Sequence, residues 1–550
     1  MTRKQTSIIL AMATVIQLPL LFIGIDLADT GQYMTFYEQI FEAPESVEYH
    51  FMYYLSGVVG GLWNMAWPGI LSIRVLALLC NLWVVWVLTR IMPDWRPVVL
   101  AVAMVLFGNY VSPMAFYYDT LTVTLAVTGL WFILKSRVGS WIWPLLAGMV
   151  MGVNVFSRVS NLAGFGYVLF FFIAAIWRGR RMMFGGVWFI VGWLFGMGLG
   201  MLMMAALGHV QVFMHGMQEL VDVADSTGDE ATHGLANLAM AQLRAWWRVF
   251  KFACVASLLL LVFLWLKRHR RPGWLRVVLM LLVAGAGLYV MYRSSPITVA
   301  AAVGVVGCMA ALCNSRDSRI WDRSVAGLLM VFIVPLGADG GIYNNGTIAT
   351  WLALTVAMDY FVNARDTKGE FLVPGFTAAS VFTIAYVALI LFNTARNGVY
   401  FDDSNLGDEF ADVSGETVYT SILRQRVIDD MVTELNRFVQ PGDTLMVYGT
   451  APMLNYLTHT RPWIGTSWPE VTTRSYLSRR IAAAEGHPVI AIVKFNTIGP
   501  EFGIPSDDFA HGGGNQTFFH NRGKSAVVYD FLESHGYCKV YDGEYMVIYR

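Results

Sequence analysis

The chain of 550 residues is poor in charge, since Asp, Glu, Lys and Arg make up only 14% of it. An average soluble domain has about 25% charged residues. Hydrophobic residues make up 56% of the chain, and the mean hydropathy is +0.53. So few charges exclude an ordinary soluble globular protein. The composition instead predicts an α-helical polytopic membrane protein whose main partner is the lipid bilayer.

Cysteine is scarce and its spacing is irregular. Four of the five cysteines lie in or beside apolar runs, and Cys538 stands alone near the C-terminus. No paired spacing of the CxxC type is present, which excludes a disulfide scaffold and a zinc-finger site. A basic stripe is also missing, so the sequence predicts no nucleic-acid partner.

Long apolar runs fill most of the first 395 residues. A membrane-spanning helix needs about 20 such residues, and the sequence predicts about 13 transmembrane helices. Their cores are 7–24, 68–89, 97–113, 119–134, 141–157, 162–177, 185–208, 249–266, 274–292, 296–313, 324–338, 347–363 and 373–392. The first run has a basic start like a signal peptide but no small-residue cleavage site, so we predict an uncleaved first helix.

The loops between these runs alternate in charge. Residues 25–67, 108–118 and 339–346 contain no Lys or Arg, whereas the intervening loops are basic. Basic loops lie on the cytoplasmic side of a membrane. The pattern predicts an inner (plasma) membrane protein with a cytoplasmic N-terminus, and thirteen spans place the C-terminus outside.

The last 155 residues differ in character from the rest. Residues 1–395 contain 25 Lys and Arg against 19 Asp and Glu, whereas residues 396–550 contain 13 against 19. Short strand-like runs alternate with helical patterns there, at 424–439, 443–450, 487–495, 524–537 and 544–550. We therefore predict two domains, a transmembrane domain (1–395) and a small α/β extracytoplasmic domain (396–550).

The first external loop contains the most informative residues. Asp26 and Asp29 follow the first apolar run directly, and acidic groups at a membrane edge are often functional. Aromatic and apolar residues then recur at helical spacing: Tyr33, Phe36, Tyr37 and Ile40. The spacing predicts an amphipathic helix lying on the membrane, with Asp29 at its N-terminus, where the helix dipole favours a carboxylate.

Two short motifs here resemble those of the C-type (GT-C) glycosyltransferases, such as the aminoarabinose and mannosyl transferases. That family has a DE-x-x-Y stretch followed by E-K-P-P-L-Y-Y. This chain has DTGQY at 29–33, with Thr30 in place of the second acid, and EYHFMYY at 48–54, without the prolines. The resemblance in spacing and hydropathy covers about the first 180 residues.

The resemblance implies a GT-C-like fold and a transferase that takes a sugar from a polyprenyl-phosphate donor. The acceptor would be a glycan, lipid or protein on the external face, and the anomeric centre would be inverted. By position, Asp29 corresponds to the catalytic base, and Asp119 matches a second acidic position and is the next catalytic candidate. Arg158 corresponds to the residue that meets the lipid phosphate, and Asp26 and Tyr33 are expected to bind substrate.

A divalent metal that aids Arg158 at the phosphate is a further expectation from the resemblance. Members of this family differ in metal use. Glu48 and His50 precede the second span, and His209 or His215 would approach from the external end of the seventh span. Carboxylate and imidazole groups are common ligands of divalent metals. These residues are the candidate ligands.

Simpler interpretations remain open at this stage. Asp29 and Asp119 could cap helices, and Arg158 could extend its guanidinium to the membrane interface. A transporter or flippase of lipid-linked glycans is the first alternative function, although its charges would be expected near the bilayer midplane. The second is a non-catalytic scaffold or sensor, in which Asp29→Asn would leave function intact.

Overall fold

The computed structural model of the chain describes residues 1–111, 114–224, 235–268, 273–293, 295–338, 340–342, 348–363, 375–399, 402, 409–514, 517 and 519–550. Most of the predicted external loop at 339–346 therefore lies outside the described residues.

Helices make up most of the described residues before residue 400. They are α1 (Arg3–Phe22), α2 (Asp29–Gln39), α3 (Tyr54–Ala66), α4 (Ile70–Ile91), α5 (Trp95–Gly108), α6 (Tyr118–Lys135), α7 (Ile142–Asn154), α8 (Leu169–Arg178), α9 (Met183–Ala206), α10 (Val210–Ala224), α11 (Leu235–Arg268), α12 (Gly273–Arg293), α13 (Pro296–Asn314), α14 (Ser318–Ile333), α15 (Trp351–Asn363) and α16 (Gly375–Asn397). Two longer 3₁₀ segments, Pro44–Tyr53 and Val159–Val168, lead into α3 and α8.

Polar side chains cap the N-termini of several of these helices. Thr2 and Gln5 form a capping box at the start of α1, which satisfies two backbone N–H groups that have no partner inside the helix. The Asp94 carboxylate accepts from the backbone of Arg96 at α5, and Asp317 accepts from that of Arg319 at α14. These caps lie in loops for which the sequence predicts a cytoplasmic location.

Each of the thirteen predicted spans coincides with helical structure. Within the described residues, six helical stretches are long and apolar enough to cross a membrane: Arg3–Phe22, Ile70–Ile91, Val159–Arg178, Arg180–Ala206, Pro296–Asn314 and Gly375–Asn397. Trp95–Gly108 and Ile142–Asn154 are apolar but shorter. The chain thus has the helices of a multi-pass membrane protein, and the predicted number of about thirteen spans is not confirmed.

Glycines hold α7 and α9 in close contact. A Cβ atom on Gly148 or Gly152 would lie about 2 Å from a carbonyl oxygen of α9. Gly192 and Gly196 meet carbonyl oxygens of α7 equally closely. Small residues four apart on both partners let two helix backbones touch, the usual way in which helices associate within lipid. This contact fixes the end of α7, from which the chain runs to Arg158.

The chain after residue 409 forms two small sheets. Its elements are β1 (Phe410–Val413), β2 (Glu416–Ser421), α17 (Ile422–Leu435), β3 (Thr444–Tyr448), α18 (Met453–Leu457), β4 (Arg461–Pro462), α19 (Arg474–Ala483), β5 (Val489–Val493), α20 (Asp507–Ala510), α21 (Arg522–Ser534), β6 (Lys539–Asp542) and β7 (Met546–Tyr549). The five-stranded sheet has the order β4-β3-β5-β7-β6, with β3 parallel to β4 and β5. The predicted C-terminal α/β architecture is therefore present, whereas β1, β2, β4 and β6 were not predicted.

The start of α18 packs directly on α2 and on the turn that precedes it. The backbone N–H of Met453 donates to the carbonyl of Leu27 at 3.0 Å, and the Thr35 hydroxyl donates to the carbonyl of Pro452 at 3.3 Å. At Gly31, a Cβ would lie only 2.3 Å from the backbone nitrogen of Met453. The C-terminal region therefore lies on the same face of the molecule as the first loop.

This contact corrects the prediction for α2. The helix is present and begins at Asp29 as predicted, but it does not lie on the membrane with one face in water. Nearly all of its residues are buried, from Thr30 to Tyr37 and at Gln39. The pattern of Tyr33, Phe36 and Tyr37 gave the apolar face of the helix correctly. The opposite face is covered by a segment more than 400 residues away in the sequence.

Candidate active site

Asp26 shapes the turn that leads into α2. Its carboxylate is 2% exposed and accepts hydrogen bonds from the backbone of Ala28 at 3.0 Å and of Thr30 at 2.7 Å. Burial raises the pKa of Asp26, while the hydrogen bonds from Thr30 and Ala28 oppose that shift. The observed role of Asp26 is to hold this turn and so to orient Asp29, and substrate binding by Asp26 stays a prediction.

Arg74 fixes the other side of the same turn, and the sequence analysis did not identify it. Its guanidinium is almost fully buried and donates to the carbonyls of Leu20, Leu21, Ile23 and Gly24 at 2.6–3.3 Å. These carbonyls belong to the end of α1, where the helix leaves its own acceptors unpaired. A single arginine near the start of the apolar run 68–89 was the available signal.

Four tyrosines surround the first turn of α2, and we call Tyr33, Tyr53, Tyr117 and Tyr118 the tyrosine cluster. The rings of Tyr53 and Tyr118 stack at 4.1 Å with an interplanar angle of 8°. Tyr33 lies 4.9 Å from Tyr117 and 6.0 Å from each of the other two, centroid to centroid. The Tyr117 hydroxyl is also 2.7 Å from that of Thr30. The cluster thus joins the first loop to the start of α6.

Asp29 is partly exposed at the start of α2 and lies beside this cluster. Burial raises the pKa of Tyr33 well above its ordinary value, and the charges of Tyr53, Tyr118 and Asp29 add to the shift. Tyr33 is therefore a neutral phenol that can donate a hydrogen bond. The Asp29 carboxylate therefore lies near several tyrosine hydroxyl groups.

Arg158 and Asp119 form an ion pair on the far side of Tyr118. The Arg158 guanidinium lies 3.7 Å from the Asp119 carboxylate and 5.7 Å from the centre of the Tyr118 ring. It also donates to the carbonyl of Val334, just after α14. The Arg158 side chain is 6% exposed and that of Asp119 is 23% exposed. The guanidinium is therefore buried beside a carboxylate and a backbone carbonyl.

The structure therefore brings together Asp29, Tyr33, Asp119 and Arg158 from three separate segments. Tyr118 lies within electrostatic range of Asp29, Asp119 and Arg158 at once. Sequence reasoning placed these residues on one face from loop charge alone. It did not identify Tyr53 and Tyr117 as site residues, although Tyr53 lies inside the second motif and Tyr117 lies two residues before Asp119.

The three candidate metal ligands do not converge. The Glu48 carboxylate binds Arg480 at 2.6 Å and the His215 imidazole at 2.9 Å, while the His50 imidazole contacts the Gln32 side chain. Across the described ranges, no group of three His, Cys, Asp or Glu side chains is arranged to hold a metal ion. The residues present do not fit a metal centre, and the divalent metal stays a prediction.

His209 occupies a different place from the other candidates. It is 5% exposed, lies among the rings of Phe41, Phe51 and Tyr54, and is 3.3 Å from the Tyr54 hydroxyl. Such low exposure is typical of a histidine that packs in an aromatic core.

His50 makes the protein acid-sensitive through its burial. It is 0% exposed, and burial lowers its pKa from 6.5 to about 3. Below about pH 6.5 the unfolded chain takes up a proton at His50, which the folded chain does not do until about pH 3. The free energy of unfolding therefore falls by about 1.4 kcal/mol for each pH unit below 6.5. We expect His50→Gln to flatten the fall in Tm between pH 7 and pH 5, measured in detergent by differential scanning fluorimetry.

The matched control for this prediction is His487→Gln, because His487 is exposed. That variant removes one histidine as well and should keep the acid sensitivity of the parent protein. An equal fall in Tm for His50→Gln and the parent would contradict the assignment.

The chain matches no model of a known protein family. No curated protein matches it in sequence. Among solved structures, it is similar to the arabinosyltransferase EmbB from Mycobacterium smegmatis, determined by cryo-electron microscopy, with 12% identity and a TM-score of 0.33. The similarity covers 72% of this chain and 41% of that one, so the chain spans less than half the length of EmbB.

Proposed function

We propose that the chain is a GT-C-type membrane glycosyltransferase. It takes one sugar from a polyprenyl-phosphate donor and transfers it to a hydroxyl group of a glycan, lipid or protein acceptor. The reaction takes place on the extracytoplasmic face and inverts the anomeric centre. The C-terminal region packs against Leu27 and Gly31 through Met453, and we expect it to help bind the acceptor.

The observation that carries the proposal is the arrangement of Asp29, Tyr118 and Arg158. A carboxylate and a guanidinium from different segments both act electrostatically on one aromatic ring, in a chain with helices that are long and apolar enough to cross a membrane. An ionisable group at this depth is costly unless it has a task. A base and a cation around one tyrosine match what transfer from a lipid phosphate requires.

The chemistry needs one base and one group that receives negative charge. Asp29 removes the proton from the acceptor hydroxyl as the acceptor oxygen attacks the anomeric carbon. The bond from that carbon to the phosphate oxygen breaks, and its electron pair leaves with the polyprenyl phosphate. Arg158 stabilises the charge on this phosphate, and Asp119 holds Arg158 in place. Attack opposite to the leaving group inverts the centre.

The test is a transfer assay with the purified full-length protein in detergent. Radiolabelled polyprenyl-phosphate sugars are incubated with an envelope fraction as acceptor, and the label in glycan and lipid products is counted. Wild type should transfer the label. Arg158→Gln should lower the rate by about 10²–10³-fold, the usual cost of losing one donor to a developing charge.

Arg180→Gln is the matched control, because Arg180 is an exposed arginine just beyond the other end of the helical stretch that starts at Val159. It should leave transfer unchanged. Label that crosses a vesicle membrane while the sugar stays on its lipid would instead identify a flippase. No transfer and no movement with any prenyl donor would favour a scaffold or sensor.

A further inference from the structure

Asp402 is a buried acid that has no part in the chemistry described so far. It follows α16, the last of the six helical stretches that are long and apolar enough to cross a membrane, by five residues. Its backbone N–H donates to the carbonyl of Val399 at 3.1 Å, so the chain turns soon after this helix ends. The residue is only 1% exposed. A carboxylate buried to this degree is stable only when other groups pair with it.

Three segments supply the groups that bind the Asp402 carboxylate. The backbone N–H of Ile25 donates to one oxygen at 3.0 Å, and the Thr420 hydroxyl donates to the same oxygen. The Arg424 guanidinium lies 3.1 Å from the other oxygen and is itself almost fully buried. The ring of Phe502 lies against this guanidinium, with its centroid at 4.1 Å. Asp402 therefore joins the first loop to β2 and α17 of the C-terminal region.

The segment Ile23–Ile25 leads from α1 to the turn that Asp26 forms before α2. Its second N–H donates to the carbonyl of Tyr419 in β2 at 2.9 Å, and its third donates to Asp402. Arg74 binds its first two carbonyls. The backbone of this segment is thus fixed by groups from distant parts of the chain, and the bond to Asp402 is the one next to the turn.

We propose that Asp402 is a positioning residue for Asp29, which rests on the proposed function. A general base acts only when its oxygen is within hydrogen-bond reach of the proton that it removes, and a displacement of about 1 Å can cost about 10²-fold in rate. Asp402 fixes the N–H of Ile25, the residue before Asp26, and so fixes the start of the turn that ends at Asp29. Arg424 keeps the carboxylate in place, as a supporting residue does behind a catalytic group.

The test compares two double variants of the purified full-length protein in detergent. Both replace Arg424 by methionine, so that neither variant leaves a buried guanidinium without its carboxylate. Asp402→Ala/Arg424→Met removes the acceptor of the Ile25 N–H, whereas Asp402→Asn/Arg424→Met keeps an amide oxygen there. The two proteins have lost the same charges and differ only in this acceptor. Both are assayed well below their Tm.

Two measurements are made on each variant. The transfer assay gives kcat and the KM of the prenyl donor. The alanine variant should lose about 10²-fold in kcat with the donor KM unchanged, and the asparagine variant should recover most of that loss. Hydrogen–deuterium exchange, followed by mass spectrometry, should be faster in the peptides that cover residues 23–33 of the alanine variant than in those of the asparagine variant.

Asp322→Asn/Arg178→Met is the matched control. Asp322 is 3% exposed, pairs with Arg178 and accepts from the indole of Trp177 at 3.1 Å. These residues belong to α8 and α14, near the basic loops for which the sequence predicts a cytoplasmic location. The control removes an equally buried ion pair, so it should lower Tm while it keeps kcat, the donor KM and the exchange of residues 23–33.

Two outcomes separate this inference from the proposed function. If wild type transfers sugar and the two Asp402 variants have equal kcat, whether at the wild-type level or reduced in step with Tm, the ion pair only stabilises the fold and the inference is overturned. If wild type transfers no sugar from any prenyl donor, the proposed function fails, and the positioning of a base fails with it.

Discussion

Asp29→Asn is expected to lower sugar transfer by about 10²–10⁴-fold, the usual contribution of a positioned general base. The amide has nearly the shape of the carboxylate but cannot take the proton of the acceptor hydroxyl. Asp29 is partly exposed at the first position of α2, and Asp26 and Thr30 hold the turn there. Expression and fold should therefore be retained. Loss of the charge at a helix N-terminus costs only about 0.3–1 kcal/mol.

Glu38→Gln is the matched control, since it neutralises an acid on the same helix. Its carboxylate lies 2.7 Å from the imidazole of His459, at the contact with the C-terminal region and nine residues after Asp29. Transfer should stay close to that of wild type. The transfer assay and the Tm of both variants are measured together. If Asp29→Asn transferred sugar at the wild-type rate, Asp29 would not be the catalytic base. If it lost transfer only in step with a loss of Tm, Asp29 would be a helix cap and nothing more.

The sequence predicted the parts of the site that depend on local pattern. Loop charge placed Asp29, Asp119 and Arg158 on one face, and the structure brings them around Tyr118. Hydropathy located a helix at each of the thirteen apolar runs, because an apolar run of a given length has few other structures available, but it did not locate α3 or α10. The strands at 443–450 and 487–495 followed from period and composition in the same way.

The rest depended on contacts between distant segments. Helical spacing shows which side of α2 is apolar, but not that its other side meets Met453. Arg480 and His215 approach Glu48 from two different regions and take up both of its carboxylate oxygens. From sequence, Glu48 and His215 are a candidate ligand pair, whereas in the folded chain the Glu48 carboxylate is bound by Arg480 and His215.

The contact between α2 and the C-terminal region leads to the second large effect. Gly31→Ala is expected to detach this region from α2 and to abolish transfer. The new Cβ would lie 2.3 Å from the backbone nitrogen of Met453 and 2.5 Å from its Cα. Backbone atoms cannot give way as a flexible side chain can, so the cost exceeds the usual about 1–3 kcal/mol of overpacking. Met453 also donates to Leu27, two residues before Asp29, so the base loses its support.

Gly198→Ala supplies the comparison, because it adds the same methyl group to a helix glycine in open space. The nearest described heavy atoms lie beyond 4 Å of its Cβ, and alanine is the better helix former by about 0.8–1 kcal/mol. Its Tm should be equal to or above that of wild type. Limited proteolysis distinguishes the two variants, since only Gly31→Ala should release fragments that contain residues 409–550. Wild-type protection and wild-type transfer in Gly31→Ala would mean that α2 does not depend on this contact, and the orientation of Asp29 would need another cause.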